Sequence, residues 1–470
     1  MSETLEAGAR PYEAGEHWDE AVEDGRPRPG YETLMAGLAQ TDLRSLRSRV
    51  WARLAKRGVS FGSSPDPGAF QVDPVPRVIG ADEWLRVGAG LAQRARALSA
   101  YAADVYADRA IVKAGIVPTR VIDSADHFEP GMMGLPAAPS AFVAGLDLVR
   151  GADGVLRVLE DNFRTPSGIA YATAAREVMD SELPVEPPPR ADPAVAFDLL
   201  VDALRSAAPE GVADPFVVLL TDGASNNAWW EHREIARRTG IPIVTRGELL
   251  LRRGHLHARV EGTGTRAVDV VYRRTDEDRL SDERGRTTWV ADALLEPVRD
   301  GNLTVVNPLG SGVADDKLAH AYVEEMVRFY LHEDPLIESV PTFDLGDRAT
   351  RETVLPRLEQ LVVKPRGGLG GHGVMVCRQA SPEDRRRIAA LIEEGPGDWI
   401  AQDTVPLSTH PTICGDRLEP RHVDLRPYVI GSGREASVAP VALTRVAFDA
   451  GSLVVNSSQN GGAKDTWLPA

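Results

Sequence analysis

Apolar residues recur at intervals of three, four and seven between Asp82 and Gly115 (Trp84, Val87, Leu91, Leu98, Tyr101, Val105). This is the spacing of one helix face, with Asp82 as N-cap and Gly115 as stop. Tyr31 to Val50 predicts a second amphipathic helix. Residues 62–79 hold four prolines and read as an extended loop. Residues 1–30 are polar, with Gly and Pro, and read as a loosely docked arm. The pattern then changes to short strand-like runs, AFVAGLDLVR and VLRVLE, around Gly151-Ala-Asp-Gly154. Asp-Gly between apolar runs predicts a β-hairpin.

The proline-rich LPVEPPPRAD at 183–192 reads as a linker or domain boundary. Beyond it, PFVVLL, a TDG turn, a helix from Asn226 to Thr239 closed by Gly240, and IPIVT form a βαβ unit. Such a unit implies a parallel sheet. HLHARV and AVDVVYRR predict a further strand pair around a Gly-Thr-Gly turn. In the last block, Asp316 to Tyr330 reads as helix. LVVKP and VMVC are strands flanking a glycine loop, and Ser381-Pro-Glu-Asp384 opens a helix that runs to Gly395. WIAQD, HVDLRPYVI, ASVAPVAL and SLVVNSS complete the predicted strands. The expected organisation is an arm (1–30), a helical region with the hairpin (31–190), an α/β substrate domain (191–310) and a C-terminal domain (311–470).

Composition narrows the function classes. The formal net charge is −16, a field that repels nucleic-acid phosphate and anionic lipid. No apolar run approaches a membrane span. The acidic start MSETLEAGARPYEAGEHWDE lacks the apolar core of a signal peptide, so a cytoplasmic setting is expected. The two cysteines, Cys377 and Cys414, supply neither a disulfide framework nor an all-cysteine metal cluster. Neither has a base nearby in sequence. Of 53 basic residues only five are lysine: Lys56, Lys113, Lys317, Lys364 and Lys464. An ammonium that survives such an arginine bias draws attention to its position.

Three constellations carry chemistry. In the first, Lys364 ends a strand and is followed by a loop with Gly367, Gly368, Gly370, Gly371 and Gly373 around His372. Backbone N–H groups of such a loop can close over phosphate oxygens, and the strand lysine can reach the same phosphates. The plain alternative is a flexible hairpin with a solvated histidine. In the second, Ala314-Asp315-Asp316-Lys317 places a lysine at a helix start after a glycine-rich turn. In the third, Asp147, Glu160 and Asn162 fall on one face if the hairpin pairs them, because residues two apart on a strand point the same way. Two carboxylates and an amide oxygen suit Mg²⁺. An exposed polar strand face is the other reading.

Together these parts resemble the ATP-grasp ligases, with the metal hairpin ahead of the lysines rather than behind them. That order resembles the circularly permuted ATP-grasp family related to glutathionylspermidine synthase. RHVDLRPYV, LTRVA and SLVVNSSQNGGAKDTW are similar to it too. The resemblance implies an α+β, circularly permuted ATP-grasp fold with a Rossmann-like substrate domain. It implies ATP and Mg²⁺ as cofactors: Lys317 and Lys364 on the phosphates, Gly367 to Gly373 as lid, Gln402 at the adenine, and Asp147, Glu160 and Asn162 on two Mg²⁺. The implied reaction phosphorylates a carboxylate, and an amine then attacks the acyl phosphate. Relatives carry an arginine two residues before the metal aspartate, where this chain has Gly145. Arg164, Arg426 and Arg445 are candidates for binding the substrate carboxylate and steadying the tetrahedral intermediate, and Lys464 for closing the site. The implied partners are an amino-acid or peptide carboxylate and a small amine, in a protein whose default assembly is a homodimer. A non-catalytic nucleotide-binding scaffold and a small-molecule kinase are the rival readings.

Overall fold

The structure, a computed structural model, describes residues 12–62, 70–135, 141–262, 264–368, 373–432, 435–453, 455 and 461–470. Three sheets position the site. The largest runs in the order Val72–Val78, Gly461–Trp467, Glu435–Ala447, Arg417–Ser432, Phe142–Arg150, Leu156–Asn162. Its first pair is parallel and the rest are antiparallel. Two of its strands depart from the sequence reading. Val72–Val78 was expected as loop because of Pro74 and Pro76. It lies at the sheet edge, where a residue without an N–H costs least. Gly461–Trp467 is not among the strands expected from sequence, yet it pairs with Glu435–Ala447. Most of the expected strand SLVVNSS lies outside the described residues.

The predicted hairpin forms as read. Phe142–Arg150 pairs antiparallel with Leu156–Asn162, and Gly154 takes a positive φ of 75° in the turn. Residues 12–30 are docked against this sheet rather than loosely attached. Glu20 is buried between Arg77 and Arg150, and the Trp18 ring lies under Arg28 and Arg150. The long helix is Ala81–Tyr106, shorter than its apolar period suggested. Asp104 ends it by accepting from the N–H groups of Ala110 and Ile111, which start a separate short helix.

The second sheet orders Thr342–Asp344, Trp399–Asp403, Leu361–Pro365 and Met375–Val376, all antiparallel. The helix Pro382–Glu394 covers it. Leu361, Val363, Cys377, Ile388, Ile392 and Ala401 form its own core. The third sheet is parallel: Thr304–Val306, Val270–Arg274, Val217–Thr221, Ile243–Val244. The βαβ reading holds here, with the helix Trp229–Thr239 closed by Gly240 at φ 72°. HLHARV does not pair with VVYRR. It pairs with Gly264–Ala267, and the chain then crosses to the parallel sheet at Asp269, whose carboxylate accepts from the Phe216 N–H. Val270–Arg274 is buried throughout, as a central parallel strand must be. The expected helix at 316–330 is broken into 3₁₀, α and π turns. The proline-rich stretch at 183–192 is not a free linker, since Ala191 donates its N–H to Leu468 O at 3.0 Å. No helix among the described residues is long and apolar enough to cross a membrane.

Candidate functional site

A cleft opens between the hairpin end of the large sheet and the second sheet. Asp147, Glu160, Asn162, Lys317, Lys364, Gly368 and Gln402 line it. The sequence constellations, separated by up to 255 residues in the chain, therefore meet in one place. Hairpin register explains the first set. Asp147 lies opposite Glu160, Gly145 lies opposite Asn162, and a bulge follows Asp147. Between Glu160 and Asn162, Asp161 turns to the opposite face. There Arg94 grips it with two hydrogen bonds of 2.7 Å and His320 adds a third of 2.6 Å. Burial would raise the Asp161 carboxyl, but Arg94 and His320 hold it well below the usual carboxylate range. This buried pair anchors the strand that presents Glu160 and Asn162.

Asp147 is less available than the sequence implied. Arg426 binds both its oxygens at 2.5 and 2.8 Å, and Arg445 binds one at 2.8 Å. Burial pushes its carboxyl up, and the two arginines overcome this and hold it low. Arg445 is itself held by Asp424, a cleft residue that the sequence reading missed. Glu160 and Asn162 remain open toward the cleft, and the buried Nδ2 of Asn162 has no hydrogen-bond partner. Among the described residues no group of three or more His, Cys, Asp or Glu is arranged to hold a metal. The hairpin set is two carboxylates and an amide, which fits a hard divalent cation at Glu160 and Asn162. Asp147 joins that set only if the arginines release it.

The lysines differ from each other. Lys317 donates to the carbonyls of Gly368 at 2.8 Å and Arg366 at 3.4 Å, and lies 4.0 Å from Glu160. It therefore ties the start of the glycine loop to the hairpin. Below it, Arg366 pairs with Asp316 at 2.7 Å, so the Asp-Asp-Lys motif fastens that loop at two points. Lys364 has no hydrogen-bond or ion-pair partner among the described residues. Burial pushes its ammonium below the ordinary lysine range, with Glu160 opposing and Lys317 adding to the shift. Gly367, Gly368 and Gly373 are described, and the last two take positive φ (101° and 74°). Gly370, Gly371 and His372 lie outside the described residues.

The other end of the cleft is apolar, lined by Val149, Leu159, Val362, Val376, Val405 and Leu407. Gln402 borders it. Its Nε2 donates to Leu159 O at 3.1 Å and Thr342 Oγ1 at 2.8 Å, which leaves Oε1 buried without a partner.

A second cavity adjoins the first. Arg164, the loop Thr165–Gly168, Tyr171, Asn226, Asn227, His232, Arg274, Asp276 and Asp315 line it. Asn162, Arg426 and Arg445 belong to both cavities. The parallel sheet supplies much of this wall from its strand ends, the usual ligand position in α/β folds. Arg274 holds the Pro166–Ser167 turn through Pro166 O at 2.7 Å and Ser167 Oγ at 2.5 Å. His232 bonds Thr221 at 2.8 Å, and burial with the nearby Arg274 pushes it down to about 2, so it stays neutral. Arg164 contacts Asp278 at 3.0 Å.

Two sequence expectations change here. Gly145 is not a gap in the machinery. A Cβ at that position would lie 2.7 Å from Pro166 Cβ and 3.4 Å from the Arg426 side chain. Arg426 reaches Asp147 from the neighbouring strand through that space. Lys464 lines neither cavity. It is fully buried on Gly461–Trp467, paired with Asp73 and donating to Pro411 O at 3.0 Å. It is a core ion pair rather than a gate.

Residues 76–447 match the family model described as circularly permuted ATP-grasp type 2. An uncharacterised protein of Synechocystis sp. is 40% identical over 97% of this chain and 98% of its own. A Frankia alni protein that carries a provisional glutamate–cysteine ligase name is 45% identical over 96% of this chain. This chain spans 54% of that relative's length, about half. Among solved structures, a glutathione synthetase-like effector from Globodera pallida matches 92% of this chain with a TM-score of 0.61 and 12% identity, a likeness of fold alone. The chain belongs to the circularly permuted ATP-grasp type 2 family.

Proposed function

We propose that the protein is an ATP- and Mg²⁺-dependent carboxylate–amine ligase that works through an acyl phosphate and releases ADP. The observation that carries this reading is the junction of two cavities at Asn162, Arg426 and Arg445. One cavity has an apolar end and two lysines at the other, as a nucleoside triphosphate requires. The other, walled in part by the parallel sheet, brings Arg164, Arg274, Asn226 and Asn227 together with Phe61, Phe70 and Tyr171, and suits a small amino-acid or peptide carboxylate. A phosphoryl group passing from the first to the second crosses two guanidinium groups. These suit the charge that spreads over a transferred phosphoryl and, later, the oxyanion of the tetrahedral intermediate.

In this reading Lys364 and Lys317 neutralise the triphosphate. Glu160 and Asn162 would hold Mg²⁺, which when bound supplies further neutralisation of phosphate charge. Arg164 and Arg274 orient the carboxylate, and the glycine loop covers the phosphates. The relative's ligase name and the family assignment support the reaction class. The test is ADP release with pooled amino acids, small peptides and amines. ADP that requires both an acid and an amine supports the ligase. ADP with a phosphorylated acid and no amide points to a kinase, and AMP points to adenylation.

Gln402 yields a prediction about the base. Its buried, unpartnered Oε1 is an acceptor waiting for a donor, and the 6-amino group of adenine is one. A nucleotide with a 6-carbonyl leaves that acceptor unpaired, at a cost of about 1–3 kcal/mol. Nucleotide competition should therefore show ATP preferred over ITP by about 10- to 100-fold, each tenfold being about 1.4 kcal/mol. Gln402→Leu should narrow that preference.

A further inference from the structure

We propose, on the ligase reading above, that Asp315 is the catalytic residue that takes the proton from the attacking amine. It is one of two carboxylates lining the second cavity. The other, Asp276, is exposed and tied to Asn226 at 2.9 Å. Asp315 is set deeper. Its Oδ1 accepts the backbone N–H of Phe163, the residue after Asn162, and Asn162 belongs to both cavities. This places the carboxylate beside the junction where the acyl phosphate forms. Its position is set from both sides: its own N–H donates to Gly312 O at 3.1 Å, and the chain continues directly into the Asp316–Arg366 pair.

What distinguishes Asp315 from the buried aspartates around the cleft is the lack of a close cation. Asp147, Asp161 and Asp424 each meet an arginine within 2.8 Å. The nearest cation to Asp315 is Arg164 Nε at 3.9 Å, and that group is closer to Asp278, at 3.0 Å. Arg273 also faces Asp278, at 3.8 Å, and His127 rests on Arg164. Lys317, two residues on, points its ammonium at the loop carbonyls of Gly368 and Arg366. Arg426 and Arg445, across the same cavity, are engaged by Asp147 and Asp424. The carboxylate is thus free to bond to an incoming ammonium. Burial pushes its carboxyl up to about 7, against the pull of Arg164 and the backbone N–H groups, so proton uptake near neutral pH is accessible to it.

An alkylammonium has no free lone pair, so it gives one proton to the Asp315 carboxylate. The amine nitrogen then forms a bond to the acyl carbon. The bond from that carbon to the phosphate oxygen breaks, its electron pair leaves with phosphate, and phosphate carries away the second nitrogen proton.

The experiment compares two nucleophiles on wild type and Asp315→Asn, an isosteric change whose Oδ1 can still accept from Phe163. Hydroxylamine is uncharged at neutral pH, needs no base, and traps acyl phosphate as a hydroxamate. Pooled alkylamines arrive protonated. With pooled amino acids and peptides as acids, Asp315→Asn should lower amide formation by about 10²- to 10⁴-fold and leave hydroxamate formation unchanged. Wild-type amide turnover should rise with pH through about 7, a limb absent from hydroxamate formation. Asp315→Glu should restore part of the amide rate. An equal fall in both products, or an undiminished amide rate, overturns the proposal. Wild type that makes neither ADP nor hydroxamate from any acid overturns the ligase reading as well, which is a different result.

Discussion

Lys364→Met should leave the protein at least as stable as wild type while removing most of its turnover. The ammonium of Lys364 is desolvated with no partner among the described residues, and a desolvated charge without a partner costs folding free energy. The direction of its shift gives the same sign. A lysine whose folded pKa lies below its unfolded one is penalised at neutral pH, and the penalty disappears only as pH rises toward the ordinary lysine range. Methionine keeps the aliphatic length and drops the charge. In catalysis the sign reverses, because that ammonium stands where triphosphate charge would develop. Losing one preorganised charge donor of this kind costs about 10²- to 10³-fold in kcat, or about 2.7–4 kcal/mol. Thermal melting and ADP release on the same preparation check both halves. A variant that melts lower and turns over normally would contradict the assignment. Stability given up at a functional position is the general pattern of binding sites.

Arg94→Met should have the opposite character, a large loss of stability by an effect outside the cleft. Arg94 is 2% exposed and forms a bidentate pair with Asp161, with a further bond to Ser339 at 2.9 Å. Its removal leaves a buried carboxylate facing only His320. Breaking one side of a buried pair costs about 3–5 kcal/mol. Denaturant midpoints measure it. The double variant Arg94→Met with Asp161→Leu should recover much of the loss, since the penalty comes from the stranded charge. Glu160 and Asn162 flank Asp161 on the same strand, so nucleotide affinity should fall in the single variant too. A loss below about 1 kcal/mol would place this pair among the weak surface bridges and remove it as the anchor of the hairpin.

A residue pattern encodes local geometry better than it encodes tertiary neighbours. The hairpin was legible because two apolar runs around an Asp-Gly turn mark its reversal, and the two-residue spacing of Glu160 and Asn162 marks their shared face. The bulge after Asp147 was not, because one extra residue leaves no compositional mark. Lys317 and Lys364 stood out because lysine is rare in this chain, and both line the cleft. The same argument failed for Lys464: rarity marks a need for an ammonium but not whether the need is catalytic or structural. The strand at Val72–Val78 was hidden by prolines that an edge position tolerates. Gly461–Trp467 was hidden by its paired glycines, of which Gly462 packs under Phe448 and against Gln71. The arginines were beyond reach. With 48 of them, only burial and pairing separate Arg426 and Arg445, at the junction, from surface residues such as Arg348. Asp424 was missed because it sits in an ordinary sequence context, and Asp315, though part of the Asp-Asp-Lys motif, drew no role because only its tertiary neighbours give it one.

A carboxylate phosphorylated where the two cavities join passes one of its own oxygens to the phosphate that is later released. The direct measurement is oxygen transfer from substrate to phosphate. An acid labelled with ¹⁸O in its carboxylate is supplied with ATP, Mg²⁺ and an amine, and the released phosphate is weighed by mass spectrometry. Phosphate carrying a single ¹⁸O from the acid, with ADP as co-product, is the expected result. Unlabelled phosphate, or label recovered in AMP, would contradict it.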